Sequence, residues 1–487
     1  MPPLIQECQV SLSPEGVMAS LWDQPGAMLL RSALFRAKAE RYSFVVARPF
    51  SVFSSRGTLA EFESAAGKRQ LHGNPWDLLE ELMAPFAPMA EHDSPFPLGG
   101  CFGYWGYDLQ SFVEPKAPSW TPNDLDLPDC YVGFYDSLLV FDHHLNKQFI
   151  VATGLGPDGL RTDERSIRQA EFWKNTIQHG VEPQSRHPNT DNPVTLSSNL
   201  SRESYIRKVE QAQTYIHQGD IYQVNLAQRL QARHGWRSQD IFLNLLEQSP
   251  SPFAAYLNCG DFQVVSSSPE SFLRLNGDRI RTRPIKGTRP RHADPTRDAQ
   301  LTYELQTSPK EMAELVMITD LLRNDLGKIC EYGSVQVPEL VRLERFPQVQ
   351  HLVSTVEGKL RRNLTHLTAL KSSFPGGSIS GAPKLRATQI IHQLETVSRG
   401  PYTGALGYLG FNRESQLSMI IRTVLCREND AWFHVGAGIV ADSNPESEYE
   451  ETLAKAAGIC AALVAPSTQE ITFEKASTPL PQRSIPT

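Results

Sequence analysis

The chain has 487 residues, 40% of them hydrophobic and 21% charged, with a formal net charge of -7. This is the composition of a globular protein with a large core, and its acidic balance argues against general affinity for nucleic acid or anionic membranes. The seven cysteines, Cys8, Cys101, Cys130, Cys259, Cys330, Cys426 and Cys460, are scattered and never spaced Cys-x-x-Cys, which predicts reduced, mostly buried thiols and neither a zinc site nor a disulfide frame.

The start, Met1 to Gln9, lacks a basic region followed by an apolar run, so no secretory signal is expected. No stretch is apolar enough for a bilayer span, and a soluble cytoplasmic protein is expected. Residues 1–181 carry short alternating runs such as Ser43–Ala47 and Tyr131–Tyr135, which predict antiparallel strands in a β-rich region. Residues 182–201 are polar and rich in Pro, Ser and Asn, the composition of a linker or long surface loop. The motif-bearing half follows at 202–465. A tail at 466–487, with Pro466, Pro479, Pro481 and Pro486, is expected to be disordered. Domain-size statistics suggest about three domains, although one interwoven α+β body is also common at this length. No repeat of solenoid period is present.

Within 202–465, Lys286 is bracketed by Pro284 and Gly287, which points to a positioned amine; lysine becomes nucleophilic near neutral pH when its surroundings depress its pKa. Residues Lys310 to Leu326 place Leu315, Ile318 and Leu322 on one stripe, with Glu314 near the start and Gly327 as a stop, and predict a helix. Phe374 to Lys384 is a glycine-rich loop running into a helix whose first turn should contain Pro383. Its inward N–H groups would suit an anion, but it has neither nucleotide-loop spacing. Arg422 interrupts the apolar run Met419–Leu425, expected as a strand on which it shares a face with Ile420 and Val424. It would meet there either an anion or an internal carboxylate. Gly436 and Gly438 could offer backbone donors, or could mark a bulge or a tight packing point. Another helix should begin at Pro445, capped by Asn444 or Ser443, with Glu448, Glu451 and Lys455 on one face, either a site or a solvated stripe. Carboxylates on two helices, two glycine-lined cradles, an arginine and a lysine suit a small dicarboxylate held partly through Mg²⁺. No His/Cys set competes for a softer metal.

The sequence resembles the chorismate-utilising enzymes, which include anthranilate, aminodeoxychorismate, isochorismate and salicylate synthases. The motifs are GDIYQVNLAQR (219–229), SSSPESF (266–272), RPIKGT (283–288), AELVMITDLLRNDLG (313–327), QHLVST (350–355), FPGGSISGAPK (374–384), GYLGF (407–411), IIRT (420–423), GAGIVADS (436–443) and EYEET (448–452). The nearest branch is the aminodeoxychorismate synthase large component. The resemblance implies an α+β fold of two large antiparallel sheets packed as a sandwich with helices outside. It implies that Glu314 and Glu451 hold Mg²⁺ with Glu448 in or just outside the coordination shell, and that the metal binds the ring carboxylate of chorismate. Ser378, Gly436, Gly438 and Lys455 would help hold the substrate, Tyr402 and Arg422 would grip the enolpyruvyl carboxylate, and His351 would line the ring. Glu270 would be the general acid for departure of the C4 hydroxyl.

Two positions separate the branches. Relatives that make anthranilate carry alanine where Lys286 stands, and those that add water carry a lysine base where this chain has Gln223, grouped here with the substrate contacts. An amide cannot take a proton from water. Lys286 would bond to C2 as hydroxide leaves C4, and ammonia would then displace it by attack at C4, giving 4-amino-4-deoxychorismate for 4-aminobenzoate and folate synthesis. No cysteine-based glutaminase signature is present, so ammonia should come from a separate glutamine amidotransferase subunit or from solution. Ser32 matches a contact of the tryptophan site in relatives. The rival readings are anthranilate synthase and a non-catalytic chorismate- or tryptophan-binding regulator.

Overall fold

Runs of β-branched and aromatic residues separated by turn residues make strands the dominant element. The computed structural model describes residues 2–32, 41–117, 121–183, 194–346 and 349–464, and the backbone of Ile471–Phe473. Among these residues lie a 13-stranded and a 12-stranded sheet. The first runs from an edge at Leu4–Cys8 through Tyr42–Val46, Met28–Arg31, Phe253–Asn258, Gln263–Ser268, Thr423–Arg427 and Asp430–Ile439 to Gln223–Arg233 and beyond. The second runs from Ile285–Pro290 through Val349–Lys359, Ser271–Asn276, Glu414–Met419 and Ala405–Gly410 to Gly100–Trp105, Cys130–Tyr135 and an exposed hairpin ending at His72.

The sheets face each other across an aromatic core. Phe44 of the first meets Tyr408 of the second edge-on at 5.3 Å between ring centroids, and Tyr104 meets Phe262 at 6.3 Å. Cys130–Tyr135 is buried along its whole length, which explains why it is almost continuously apolar. Helices cover the other face of the first sheet. Ile241, Phe242 and Leu245 of Ser238–Gln248 and Ile459 and Leu463 of Pro445–Leu463 pack with Leu230, Val424 and Phe433. Arg202–His217 and Lys384–Leu394 bury Tyr205, Ile390 and Ile391 against Leu226 and Ile439.

Both sheets draw strands from the two halves of the chain. Met28–Arg31 pairs with Phe253–Asn258, and Gly100–Trp105 with Ala405–Gly410. The interwoven α+β body therefore holds, and a boundary near residue 181 does not divide the sheets. Within the expected linker, Val194–Ser198 is a strand antiparallel to Gln223–Arg233, while 184–193 lie outside the described residues. Within the expected tail, Ile471–Phe473 pairs in parallel with that strand; the remainder of 466–487 is outside the described residues.

The helix expected at Lys310–Leu326 spans Pro309–Gly327, with the Ser308 side chain accepting from the Glu311 N–H. Gly327 is its last residue and Lys328 its cap, so the glycine does not stop the helix ahead of itself. The helix from Pro445 is capped by Asn444, whose side chain accepts from the Ser447 N–H. All seven cysteines are free and six are buried, Cys8 being the half-buried one. No helix among the described residues is long and apolar enough to cross a membrane.

Candidate active site

A cavity of about 470 Å³ opens where the Ile285–Pro290 and Asp430–Ile439 strands approach the Pro309–Gly327 and Pro445–Leu463 helices. Lys286, Glu270, Glu314, His351, Ser378, Tyr402, Arg422, Gly436, Gly438, Glu451 and Lys455 all line it. Their backbones are spread over residues 270–455, and the two sheets bring them together.

Lys286 owes its aim to a register shift against the neighbouring strand between Lys286 and Thr288. Gly287 occupies the shift at φ +66°, and a Cβ there would come within 2.8 Å of Leu305. Only glycine suits both conditions. The Lys286 Nζ lies 3.5 Å from Glu314 Oε2, with both side chains mostly buried.

Glu270 follows the Gln263–Ser268 strand and is 6% exposed. Its Oε1 accepts from the Ser378 hydroxyl at 2.7 Å. Burial raises its carboxyl from 4.5 to about 7, against the opposing pull of Ser378, Lys286 and the Ile285 backbone. A carboxyl with that pKa still carries a proton near neutrality, as a general acid must. His351 bonds Thr288 Oγ1 through Nδ1 at 2.8 Å, and burial followed by the Arg422 charge pushes it down to about 4, so the ring is neutral. Tyr402 stacks on His434 at 4.9 Å; burial raises its hydroxyl to about 12, so it stays a donor.

Arg422 corrects the expectation of one continuous strand. Glu414–Met419 belongs to the second sheet and Thr423–Arg427 to the first. Ile420, Ile421 and Arg422 form the crossing between them, held by Ile420 N–H to Gly404 O and Ser267 N–H to Arg422 O. Arg422 sits in that crossing at φ +52°, so the strand face shared with Ile420 and Val424 does not form. A non-glycine residue at positive φ is uncommon and clusters at functional sites. Burial lowers the guanidinium pKa, and no described carboxylate forms an ion pair with it. Of the two partners left open by the sequence, the internal carboxylate is absent among the described residues.

Gly436 and Gly438 are regular strand positions at which a side chain would collide. A Cβ at Gly436 would lie 2.7 Å from Asn225 Oδ1, and one at Gly438 would lie 2.6 Å from Gln223 Nε2. Gln223 is buried behind Gly438 and its Nε2 has no hydrogen-bond partner; it is not part of the cavity wall. Lys455 donates to Gly436 O at 2.8 Å and pairs with Glu451 at 2.8 Å. Burial would raise the Glu451 carboxyl, but Lys455, Lys310 and Lys286 outweigh it and leave its pKa lowered.

Glu448 is buried outside the cavity wall, accepting from Ser443 Oγ at 2.7 Å with Lys310 at 3.5 Å. Its Oε2 is buried without a hydrogen-bond partner. The shared helix face therefore carries site residues at Glu451 and Lys455, with Glu448 turned toward Ser443. Among the described residues no three His, Cys, Asp or Glu side chains are gathered around a metal position. Glu314 and Glu451 still present hard carboxylate oxygens to one cavity, and such a donor set fits Mg²⁺ completed by water and substrate oxygens.

Asn225, Thr288, Lys310 and His434 also line the cavity and were missed by reading the sequence. Asn225 Oδ1 and His434 Nε2 are buried without partners. Ser32 lies elsewhere, in a cavity of about 40 Å³ beside Tyr42, Phe44 and Tyr408.

The cavity gathers Lys286, Lys310, Arg422 and Lys455 with Glu270, Glu314 and Glu451, a lining suited to a small polar molecule, and comparison with known proteins gives the class. Residues 33–461 match the family of chorismate binding enzymes. The chain belongs to that family. It is 38% identical over 447 residues to anthranilate synthase component 1 of Acetivibrio thermocellus, covering 89% of each chain. It is also 38% identical over 447 residues to aminodeoxychorismate synthase component 1 of Klebsiella aerogenes, covering 91% of this chain and 94% of that one. The crystal structure of anthranilate synthase component I from Streptococcus pneumoniae superposes with a TM-score of 0.76 at 30% identity, covering 86% of this chain and 92% of the other. The menaquinone-specific isochorismate synthase of Escherichia coli shares the fold at a TM-score of 0.71 and 18% identity, covering 95% of each chain.

Proposed function

We propose that this chain is the large, aminating subunit of an aminodeoxychorismate synthase, converting chorismate and ammonia to 4-amino-4-deoxychorismate and water. The observation that carries the reading is the Lys286 amine in the cavity wall, 3.5 Å from Glu314 and facing Gly438, where the resemblance puts alanine in anthranilate synthases. Arg422, lacking a described protein carboxylate, and the Tyr402 hydroxyl would receive the enolpyruvyl carboxylate. The neutral His351 would stack beside the ring.

In the first displacement the Lys286 nitrogen, acting as the free amine that the step requires, forms a bond to C2, the ring double bonds shift, and the C4–O bond breaks. Glu270 delivers the proton that lets the oxygen leave as water. In the second, ammonia forms the C4–N bond, the double bonds return and the C2–lysine bond breaks, restoring the amine, while the surplus proton on the new C4 nitrogen returns to Glu270. Glu314 and Glu451 would hold Mg²⁺, with Glu448 behind them; the metal would neutralise the substrate ring carboxylate.

Ammonia would come from a separate glutamine amidotransferase subunit. Six of the seven cysteines are buried, which suits structural thiols better than a glutaminase nucleophile. The purified chain should therefore use ammonium salts and not glutamine until that subunit is added.

Product identity tests the assignment. Chorismate, an ammonium salt and Mg²⁺ should yield a product that retains the enolpyruvyl ether; anthranilate with pyruvate would overturn the reading. Lys286→Ala should lower formation of that product by about 1000-fold or more while chorismate still binds. Full activity of this variant with ammonia would remove the covalent role.

A further inference from the structure

Behind the wall carrying Gly436, Gly438 and Tyr402 lies an ion pair that the proposed chemistry does not use. Glu395 and Arg399 are 7% and 2% exposed. All five guanidinium N–H donors of Arg399 are engaged. Nε donates to Glu395 Oε2 at 2.8 Å and Nη2 to Glu395 Oε1 at 2.6 Å. Nη2 also donates to Asn225 O at 2.8 Å, while Nη1 donates to Ile379 O and to Thr403 Oγ1, each at 3.2 Å. The guanidinium carbon lies 4.7 Å from the Tyr107 ring centroid and 5.6 Å from that of Tyr402. Glu395 Oε1 accepts in addition from the Ala227 N–H at 3.0 Å.

These partners are significant for where they lie. Asn225 and Ala227 stand opposite Gly438 and Gly436 in the strand ladder. Ile379 follows Ser378, which holds Glu270. Thr403 follows Tyr402 and donates to its carbonyl at 2.6 Å. Burial opposes the Arg399 charge, but Glu395 outweighs it and keeps the guanidinium protonated. An apolar pair of similar volume is often as stable as a buried ion pair, so stability alone gives little reason for this one.

We propose that the Arg399–Glu395 pair positions the substrate-binding wall, fixing the Asn225 strand, the Ser378 turn and the Tyr402 loop relative to one another so that they meet chorismate without rearranging. Neither residue lines the cavity, so both act through others. A lysine cannot replace the guanidinium, because one ammonium has three donors and no planar fork. The proposal rests on reading this cavity as the chorismate site.

The test uses two variants of the full chain, Arg399→Lys and the double variant Glu395→Met/Arg399→Met, which removes both charges together and so avoids stranding one of them. Chorismate disappearance is followed, so the result does not depend on which carbon receives nitrogen. Displacing positioned groups by about 1 Å can lower kcat/KM about 100-fold, and both variants should lose that much, chiefly as a raised chorismate KM. Partial unfolding alone would reduce the active fraction and leave KM unchanged. A KM within about twofold of the parent in the folded double variant, whatever its melting temperature, would overturn the proposal. A parent chain that consumes no chorismate would instead defeat the reading of the cavity.

Discussion

Two of the cavities, the large one walled by Lys286 and Arg422 and the small one at Ser32, differ in the charge of their walls. Around Ser32 the described wall carries one charged side chain, Arg31, among uncharged residues; the Ser32 N–H donates to Ser43 Oγ at 3.0 Å, and Ser43 Oγ meets His143 Nε2 at 2.7 Å. Its cavity of about 40 Å³ has room for about one water molecule, whose share of liquid volume is about 30 Å³. The larger cavity holds Arg422 with no ion pair to a described carboxylate, and Asn225 and His434 with buried unpartnered atoms. Unmatched polar groups are expensive in a protein interior. Charged side chains gather in the wall of the larger cavity, Arg422 among them without a described carboxylate, and such a wall suits a polar ligand. Among the described residues, the Ser32 cavity has only Arg31 as a charged lining residue.

The largest expected effect comes from removing charge in the larger cavity. Glu314→Gln or Glu451→Gln should lower turnover at ordinary Mg²⁺ by about 1000-fold or more, because each removes a charged oxygen from the proposed metal position. Mg²⁺ titration and EDTA treatment check this. Unchanged kinetics of the parent in EDTA would rule out the metal and leave the two carboxylates only as partners of Lys286 and Lys455.

Glu270→Gln should lower kcat by about 100-fold or more through loss of the proton donor. In the parent, activity per unit of free NH₃ should fall as pH rises through about 7, where the raised Glu270 carboxyl ionises, and the variant should lack that limb. The same shift acts on stability. The carboxyl is protonated when folded and ionised when unfolded between its ordinary 4.5 and about 7, so its contribution is fully present below 4.5 and declines through that window. At about 1.4 kcal/mol per pKa unit, the loss is about 3 kcal/mol. The gap in melting temperature between Glu270→Gln and the parent should therefore shift in favour of the variant from pH 5 to pH 8. A gap independent of pH would contradict the raised pKa.

The legibility of the sequence divides along a similar line. Local signals were readable: Asn444 before Pro445 marked a helix start, and Pro284 and Gly287 marked Lys286 as positioned. The many motifs in family order carried the two-sheet fold. What depended on distant pairing was not readable. Val194–Ser198 looks like a linker because its composition is polar, yet it gains a place in the sheet from Gln223–Arg233 on one side. The run around Arg422 looks like one strand because apolar residues are favoured both in a strand and in a buried crossing between sheets, and nothing local announces a positive φ at arginine. His434 and Asn225 were hidden for the same reason, since their roles come from the Tyr402 ring and from the opposing glycines.

The smallest kinetic effect is expected beside the Ser32 cavity, and it sharpens the contrast most directly. Ser43→Ala leaves the buried Ser32 N–H without its acceptor and His143 Nε2 without its hydroxyl partner. Stranding a buried group costs about 1–3 kcal/mol, so the melting temperature should drop clearly. No element of the larger cavity uses Ser43, so kcat/KM for chorismate in the folded protein should stay within about twofold of the parent, a change of less than 0.5 kcal/mol on a scale of about 1.4 kcal/mol per factor of ten. Denaturation followed by circular dichroism and steady-state kinetics on the same preparation separate the two readouts. A kinetic change above about fivefold with an unchanged melting temperature would mean that the Ser32 region communicates with the chorismate site, and that the division between the two cavities is wrong.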